Sequence, residues 1–223
     1  VVVNGVTTPV TIDANSGRDA YGNIDILETT FSEYRSFGGN DVLIGGDTDE
    51  RFIVGGGDNY VDGGDGYDTI RYDRSGVGDF AVVDLAAGTA SGVLDGIAFT
   101  DTLVSIEGVR GSKTGDDTIS GTSGDNALDG KGGDDILLGR GGNDTLVGGS
   151  GADTFVYTST GDALVGGYET ITDFSVTDGD IIRLEGLLKG TFSYLDVLET
   201  GVNEFTGDGN TEAIMDQSGF TSV

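Results

Sequence analysis

A repeat of nine residues constrains this chain more than any other feature. Residues 63–71 read GGDGYDTIR and residues 148–156 read GGSGADTFV. Both fit the pattern G-G-x-G-x-D-x-U-x, in which U is a large apolar residue. Stepping back by nine residues gives four units in register over residues 36–71 and five over residues 112–156. The period predicts a flattened solenoid in which two units make one coil.

The eighth position of each unit tests this register. All nine units carry a large apolar residue there: Leu43, Phe52, Val61, Ile70, Ile119, Leu128, Leu137, Leu146 and Phe155. A flexible Gly/Asp linker has no reason to keep that phase, which disfavours the linker alternative. We therefore predict that the first six residues of a unit form a turn, in which glycine permits positive φ, and that the last three form a short strand with its apolar side chain inward.

The charge of the chain calls for a cationic partner. Acidic residues number 39 and basic residues 11, which gives a formal net charge of -28. Such self-repulsion opposes a compact fold unless counter-ions neutralise it, and hard divalent cations are the natural partner. The same charge excludes nucleic acid as a broad partner and disfavours an anionic membrane surface. No stretch approaches the roughly 18 apolar residues of a membrane span, so no membrane insertion is expected.

The kinds of acidic and metal-ligating residue narrow the chemistry further. The chain has 30 Asp, 9 Glu, no Cys and no His, which excludes thiolate and imidazole metal sites and the usual nucleophilic triads. Two carboxylates suffice for a glycosidase, but nearly every conspicuous Asp is explained by the repeat, and we predict no enzymatic activity. Coils stacked about 4.8 Å apart would leave pockets of carboxylate and carbonyl oxygens. These suit calcium, which accepts irregular oxygen cages, better than magnesium.

The repeats resemble a known family. Residues 36–71 and 112–156 resemble the RTX, or haemolysin-type, calcium-binding nonapeptide repeat, and TITDFSVTDGDIIRL at 170–184 resembles the region that commonly follows the repeats in that family. The resemblance implies an all-β fold built on a parallel β-roll solenoid. It also implies calcium-induced folding and export by a type I secretion machinery.

The resemblance also assigns the metal ligands. The family's carboxylate position falls on Asp41, Glu50, Asn59, Asp68, Asp117, Asn126, Asp135, Asp144 and Asp153. Asn59 and Asn126 offer an oxygen without charge, so weaker sites are expected there. Glu50 is longer than Asp and Thr48 replaces a glycine in the same unit, so that turn is expected to be distorted or empty. Pairing units of adjacent coils, 41/59, 50/68, 117/135, 126/144 and 135/153, predicts about five calcium ions.

The segments around the repeats are predicted to be β-rich. We expect an N-terminal flank at 1–35, a first roll block at 36–71, a β-strand insert at 72–111, a second block at 112–156 and a C-terminal capping segment at 157–223. The insert is expected to contain a hairpin that turns near Ala87-Gly88 and to separate the two rolls. Residues 169–188 are predicted to form strand, turn and strand, with a short helical stretch around Leu187-Leu188.

Taken together, these features predict a calcium-binding β-roll module of a secreted bacterial protein, located outside the cell or at its surface. It would fold on extracellular calcium and support type I secretion. Two alternatives stay open: a polysaccharide-binding accessory module of an extracellular enzyme or adhesin, and a structural subunit of a surface layer or appendage. A row of exposed aromatic residues on one face would favour glycan binding, and self-assembly would favour the structural role.

Overall fold

The computed structural model describes residues 32–35, 39–74, 79–158 and 169–185, and strands 192–197 and 203–207 by their backbone. Every regular element among these residues is a strand, and the strands form two sheets in which parallel pairing predominates. The all-β parallel β-roll is therefore confirmed. Residues 1–31 of the expected N-terminal flank and the helical stretch at Leu187-Leu188 lie outside the described residues. Nowhere in the described part of the chain is there a helix long and apolar enough to cross a membrane.

Within the described residues, each sheet has nine strands. In spatial order, sheet 1 contains β1 (Glu33–Arg35), β3 (Arg51–Ile53), β5 (Thr69–Arg71), β9 (Gly108–Arg110), β11 (Ala127–Gly132), β13 (Thr145–Ser150), β15 (Glu169–Ile171), β18 (Asn203–Gly207) and β17 (Phe192–Val197). Sheet 2 contains β16 (Ile181–Leu184), β14 (Thr154–Tyr157), β12 (Ile136–Leu138), β10 (Thr118–Ser120), β6 (Phe80–Asp84), β7 (Thr89–Leu94), β8 (Ile97–Val104), β4 (Tyr60–Asp62) and β2 (Val42–Ile44).

Successive repeat units alternate between the two sheets. Leu137 therefore lies beside Ile119 and Phe155, each two units away in sequence, and the three strands pair in parallel. The eighth residue of every unit points between the sheets and is at most 1 % exposed. Burial of one such side chain contributes about 1.5–3 kcal/mol, so these apolar residues, one file in each sheet, form the centre of the core that holds the sheets together.

The insert lies inside the roll. Strands β6, β7 and β8 form an antiparallel meander with the predicted turn around Ala87-Gly88. The outer strands of the meander pair in parallel with the repeats, β6 with β10 and β8 with β4. Strand β9 likewise pairs with β5 and β11. Both sheets thus run through the two blocks without a break, which differs from the expected separation of the rolls. The cause is that Leu103 and Val109 keep the inward apolar phase.

The roll also continues past residue 156. The predicted strand, turn and strand appear as β15 and β16, joined by a turn at 176–179. Both strands add to the sheets in parallel, β15 on β13 and β16 on β14. Strands β18 and β17 then end sheet 1 in antiparallel pairing. The boundaries of the five predicted segments stay predictions.

Candidate metal centre

The sixth residue of each repeat unit ends a turn just before a strand, and these residues stack between coils. In five of the units, one oxygen of the carboxylate or amide at this position accepts the backbone N–H of the sixth residue one coil earlier. Asp135 Oδ1 accepts from Asp117 N at 2.7 Å, and Asp153 Oδ1 accepts from Asp135 N at 2.9 Å. The same bond links the pairs 41/59, 50/68 and 126/144. The structure thus brings together all five predicted pairs of site residues.

The second carboxylate oxygen behaves differently in three of these turns. Oδ2 of Asp68, Asp135 and Asp153 is buried and accepts no hydrogen bond from the described residues. All three residues are fully buried. A buried acceptor without a partner costs about 1–3 kcal/mol, and more when it is charged. Each of these oxygens therefore calls for a positively charged ligand.

The space beside these oxygens exists because the unit begins with glycine. A methyl group on Gly130 would overlap Asp135 Oδ2 and would lie 2.8 Å from the carbonyl oxygen of Gly148 in the next coil. A methyl group on Gly148 would overlap Asp153 Oδ2 in the same way. Carboxylate and carbonyl oxygens that converge on one cradle are the donor set that calcium prefers. The residues present therefore fit a calcium ion.

Backbone carbonyls are needed to complete such a site. Nowhere among the described residues do three acidic side chains gather closely enough to hold a metal ion by themselves. The repeat instead brings one carboxylate to each cradle and surrounds it with turn backbone. A calcium ion, which takes 6–8 oxygens, would draw the remainder from carbonyls and water.

Burial also changes the acidity of these groups. Desolvation, together with the smaller effect of the charges of Asp117 and Asp153, raises the pKa of Asp135 to about 8. Desolvation likewise raises the pKa of Asp68 to about 7, and of Asp117 and Asp153 to about 6. Without a cation, the ionised turns therefore oppose the folded state.

Three of the described repeat turns are closed by hydrogen bonds from their own residues. The backbone N–H of Gly46 donates to Glu50 Oε2 at 3.0 Å, and Thr48 donates to the other oxygen of Glu50. Ser112 N donates to Asp117 Oδ2 at 2.5 Å, and Thr122 N donates to Asn126 Oδ1 at 2.7 Å. These oxygens already have donors from their own turn. They therefore have less need of a cation than those of Asp135 and Asp153.

The turn of Asp117 also departs from the predicted register. Gly111, rather than Ser112, takes the place of the first glycine: its added methyl group would overlap Asp117 Oδ2 and lie 2.8 Å from the carbonyl oxygen of Gly130. The turn is consequently one residue longer than its neighbours, which brings the Ser112 N–H to the carboxylate.

Asp101, which stacks on the turn of Asn59, has hydrogen-bond donors on both of its carboxylate oxygens. Asn59 donates from its backbone and its amide to Oδ1 of Asp101, at 2.9 and 2.8 Å. The hydroxyl group of Tyr72 donates to Asp101 Oδ2 at 3.0 Å. Tyr72 is buried and stacks on Phe99, with ring centroids 5.0 Å apart. Both oxygens of Asp101 are thus satisfied by protein donors.

Four stacked acidic residues were missed from the sequence: Asp101, Glu107, Glu169 and Asp180. Glu107 accepts from Asp68 N at 2.8 Å, and Asp180 accepts from Asp153 N at 2.9 Å. Glu169 is buried beside Gly139, the first glycine of the Asp144 unit. A signal was present, because each is followed two positions later by an inward apolar residue, as in the repeat: Leu103, Val109, Ile171 and Ile182. None of the four residues, however, ends a copy of the G-G-x-G-x-D sequence that precedes the triplet in the repeat.

These features together define a calcium-binding β-roll of nonapeptide repeats. Residues 36–70 match the family model of the RTX calcium-binding nonapeptide repeat, which holds four copies. Residues 102–221, more than half of the chain, match the model described as peptidase M10 serralysin C terminal. The chain belongs to this serralysin C-terminal family, and its resemblance to RTX proteins is confirmed. No curated protein matches the chain.

The family defines the broad role of the chain. The serralysin C-terminal domain is a non-catalytic part of a protease, and RTX repeats are structural and bind calcium. Domains of both kinds are characteristic of secreted, extracellular proteins. The chain is thus a calcium-binding module of a secreted protein.

Proposed function

We propose that this module is a calcium-triggered folding device that helps its parent protein fold after type I secretion. The observation that carries the proposal is the buried oxygen Asp135 Oδ2, which has no hydrogen-bond donor among the described residues and faces the carbonyl oxygen of Gly148. A buried carboxylate of this kind destabilises the fold until a cation joins it.

The ligands would come from the stacked turns. Asp135 with the Gly148 carbonyl, and Asp153 beside Gly148, would hold calcium by their second oxygens, while their first oxygens keep the backbone hydrogen bonds between coils. Calcium would supply the positive charge that these turns lack. About five ions are expected in the paired turns, with the self-closed turns of Glu50, Asp117 and Asn126 binding more weakly than Asp135 and Asp153.

The trigger follows from mass action. A ligand that binds only the folded chain stabilises it in proportion to the logarithm of its concentration over Kd. Where calcium is scarce, repulsion within a chain of net charge -28 keeps it unfolded and suitable for export. At the roughly millimolar calcium outside the cell, sites of the affinity found in extracellular modules fill and the roll folds.

Glycan binding gains no specific support from the described surface. The exposed aromatic residues there are Tyr60 in β4, Phe80 in β6 and Tyr67 in the turn before β5. Strands β7 and β8 separate β4 from β6, so these rings form no continuous row.

Anomalous scattering from calcium-soaked crystals, with isothermal titration in solution, tests the proposal. We expect about five ions, with density beside Asp135 and Asp153. Two or fewer ions, or ions that lie away from both carboxylates, would contradict it.

A further inference from the structure

The two repeat blocks meet at a turn that is not a repeat. Residues 105–107 join β8 to β9, whereas residues 63–68 fill the repeat turn between β4 and β5 one coil earlier. The matches to the two families end at residue 70 and begin again at residue 102. The short turn therefore stacks on the last turn of the first block at the point where one repeat pattern ends and the other begins.

The two turns are firmly joined. Asp68 N–H donates to Glu107 Oε2 at 2.8 Å, and the Asp68 carbonyl accepts from Glu107 N at 3.0 Å and from Gly108 N at 2.8 Å. Gly63 N–H donates to the Val104 carbonyl at 2.9 Å. The short turn thus occupies the position that the next repeat unit would otherwise fill.

A cradle for a cation lies between these turns. A methyl group on Gly63 would lie 2.5 Å from Asp68 Oδ2 and would overlap the carbonyl oxygen of Ser105. Asp68 is fully buried, and this oxygen accepts no hydrogen bond from the described residues. The cradle therefore repeats the arrangement at Gly130 and Asp135, with Ser105 in the role of Gly148.

We propose that this cradle is a junction calcium site, in which Asp68 and the carbonyl of Ser105 share one ion while Glu107 holds the two turns together. The inference rests on the proposed function, since it needs the roll to bind calcium. It goes beyond the repeat pairing because Ser105 and Glu107 belong to no nonapeptide unit. The short turn offers fewer carbonyls than a repeat turn, so this site is the weaker one and fills after those of the second block.

The consequence of such a site is coupling between the blocks. Strand β9 follows Glu107 directly and pairs with β5 of the first block and β11 of the second. An ion held by Asp68 and Ser105 therefore fixes the one strand that links the two parts of sheet 1. Losing it should loosen β9 while the second block stays folded.

Native mass spectrometry and hydrogen exchange of the full chain in calcium test this inference. The variants are Asp68→Asn and Glu107→Gln, each of which keeps a hydrogen-bond acceptor but removes a charge. Asp65→Asn, at an exposed position of the same turn, is the matched control, and Asp135→Asn reports on a site between two repeat units.

We expect Asp68→Asn to bind one ion fewer than wild type. We also expect Glu107→Gln to need several-fold more calcium for the last ion, and both variants to lose protection of the amides of residues 108–110. Asp65→Asn should match wild type. If Asp135→Asn loses an ion but Asp68→Asn and Glu107→Gln lose neither ions nor protection, the junction site is wrong and the calcium-triggered roll stands. If wild type binds no calcium, both fail.

Discussion

The hydroxyl group of Tyr72 donates a hydrogen bond of 3.0 Å to Oδ2 of Asp101, the oxygen that in other turns of this roll is left for a cation. Asp101 stacks above Asn59 just as Asp153 stacks above Asp135. Tyr72 thus supplies the partner of this buried carboxylate oxygen, whereas calcium is proposed to be the partner in other turns. The insert can therefore join the roll without a metal ion at that position.

Removing this donor should destabilise the roll. In Tyr72→Phe, Asp101 Oδ2 is left buried without a partner, which should lower the free energy of unfolding by about 1–3 kcal/mol. Urea denaturation at saturating calcium measures the change. Tyr60→Phe, at an exposed position, should differ from wild type by less than about 0.5 kcal/mol. Equal effects of the two substitutions would show that the hydrogen bond to Asp101 contributes nothing.

Asp134 and Asp135 are neighbours, but only Asp135 is a proposed calcium ligand, so substituting each in turn distinguishes the loss of a ligand from the loss of a surface charge. Asp135 is fully buried, whereas Asp134 is exposed and its Oδ1 accepts from Ala152 N at 2.8 Å. Asp135→Asn should raise the calcium midpoint of folding roughly tenfold, which equals 1.4 kcal/mol. Asp134→Asn removes the same charge and should leave the midpoint nearly unchanged. Calcium titrations followed by circular dichroism compare them, and a similar shift in both variants would mean that net charge alone sets the midpoint.

Lowering the pH should stabilise the calcium-free fold but should weaken calcium-induced folding. Burial raises the pKa of Asp135 to about 8 and of Asp68 to about 7. The folded chain therefore binds protons more tightly than the unfolded chain between about pH 4 and 8, and stability without calcium falls as pH rises through this window. With calcium the ligands must be deprotonated, so the calcium midpoint should rise as pH falls.

Circular dichroism from pH 5 to pH 8 in calcium-depleted buffer checks the first half of this prediction, and calcium titrations at the same pH values check the second. Strand content in the depleted buffer should increase on acidification. A decrease would mean that the buried carboxylates do not oppose folding.

Two basic residues occupy the left-handed conformation at the same unit position. The φ angle is 79° for Lys131 and 71° for Arg140, which costs a residue other than glycine about 1–2 kcal/mol. Among the described residues, the ammonium group of Lys131 forms one ion pair, with Asp129 at 3.6 Å. Arg140 instead donates to both oxygens of Asp84, at 2.7 and 2.9 Å, and to the Gly121 carbonyl.

Glycine at these two positions should therefore have opposite effects. Lys131→Gly should be neutral or stabilise the fold by up to about 1 kcal/mol, and Arg140→Gly should destabilise it, because the side-chain bonds from Arg140 to Asp84 of β6 are lost. Thermal denaturation in calcium measures both, and destabilisation by Lys131→Gly as large as that by Arg140→Gly would contradict the role of Asp84.

The repeat predicts the sheets and most stacked carboxylates because its apolar phase is kept in every unit and its turn chemistry agrees with that phase in most units. Asp101, Glu107, Glu169 and Asp180 escape a search by nine-residue period because the chain between them varies in length, although the local triplet is kept. At Ser112 and Thr122, a backbone N–H donates to the sixth residue of its own turn, which depends on the direction in which that N–H points. The direction of a single N–H cannot be predicted from the repeat pattern.

The roll is expected to fold only when cations neutralise its turns. Circular dichroism and small-angle scattering of wild type, first in excess chelator and then with millimolar calcium or magnesium, test it directly. We predict an expanded chain without β-structure in chelator, a compact β-rich chain in calcium, and little recovery in magnesium. A compact, β-rich chain in excess chelator at neutral pH would contradict it.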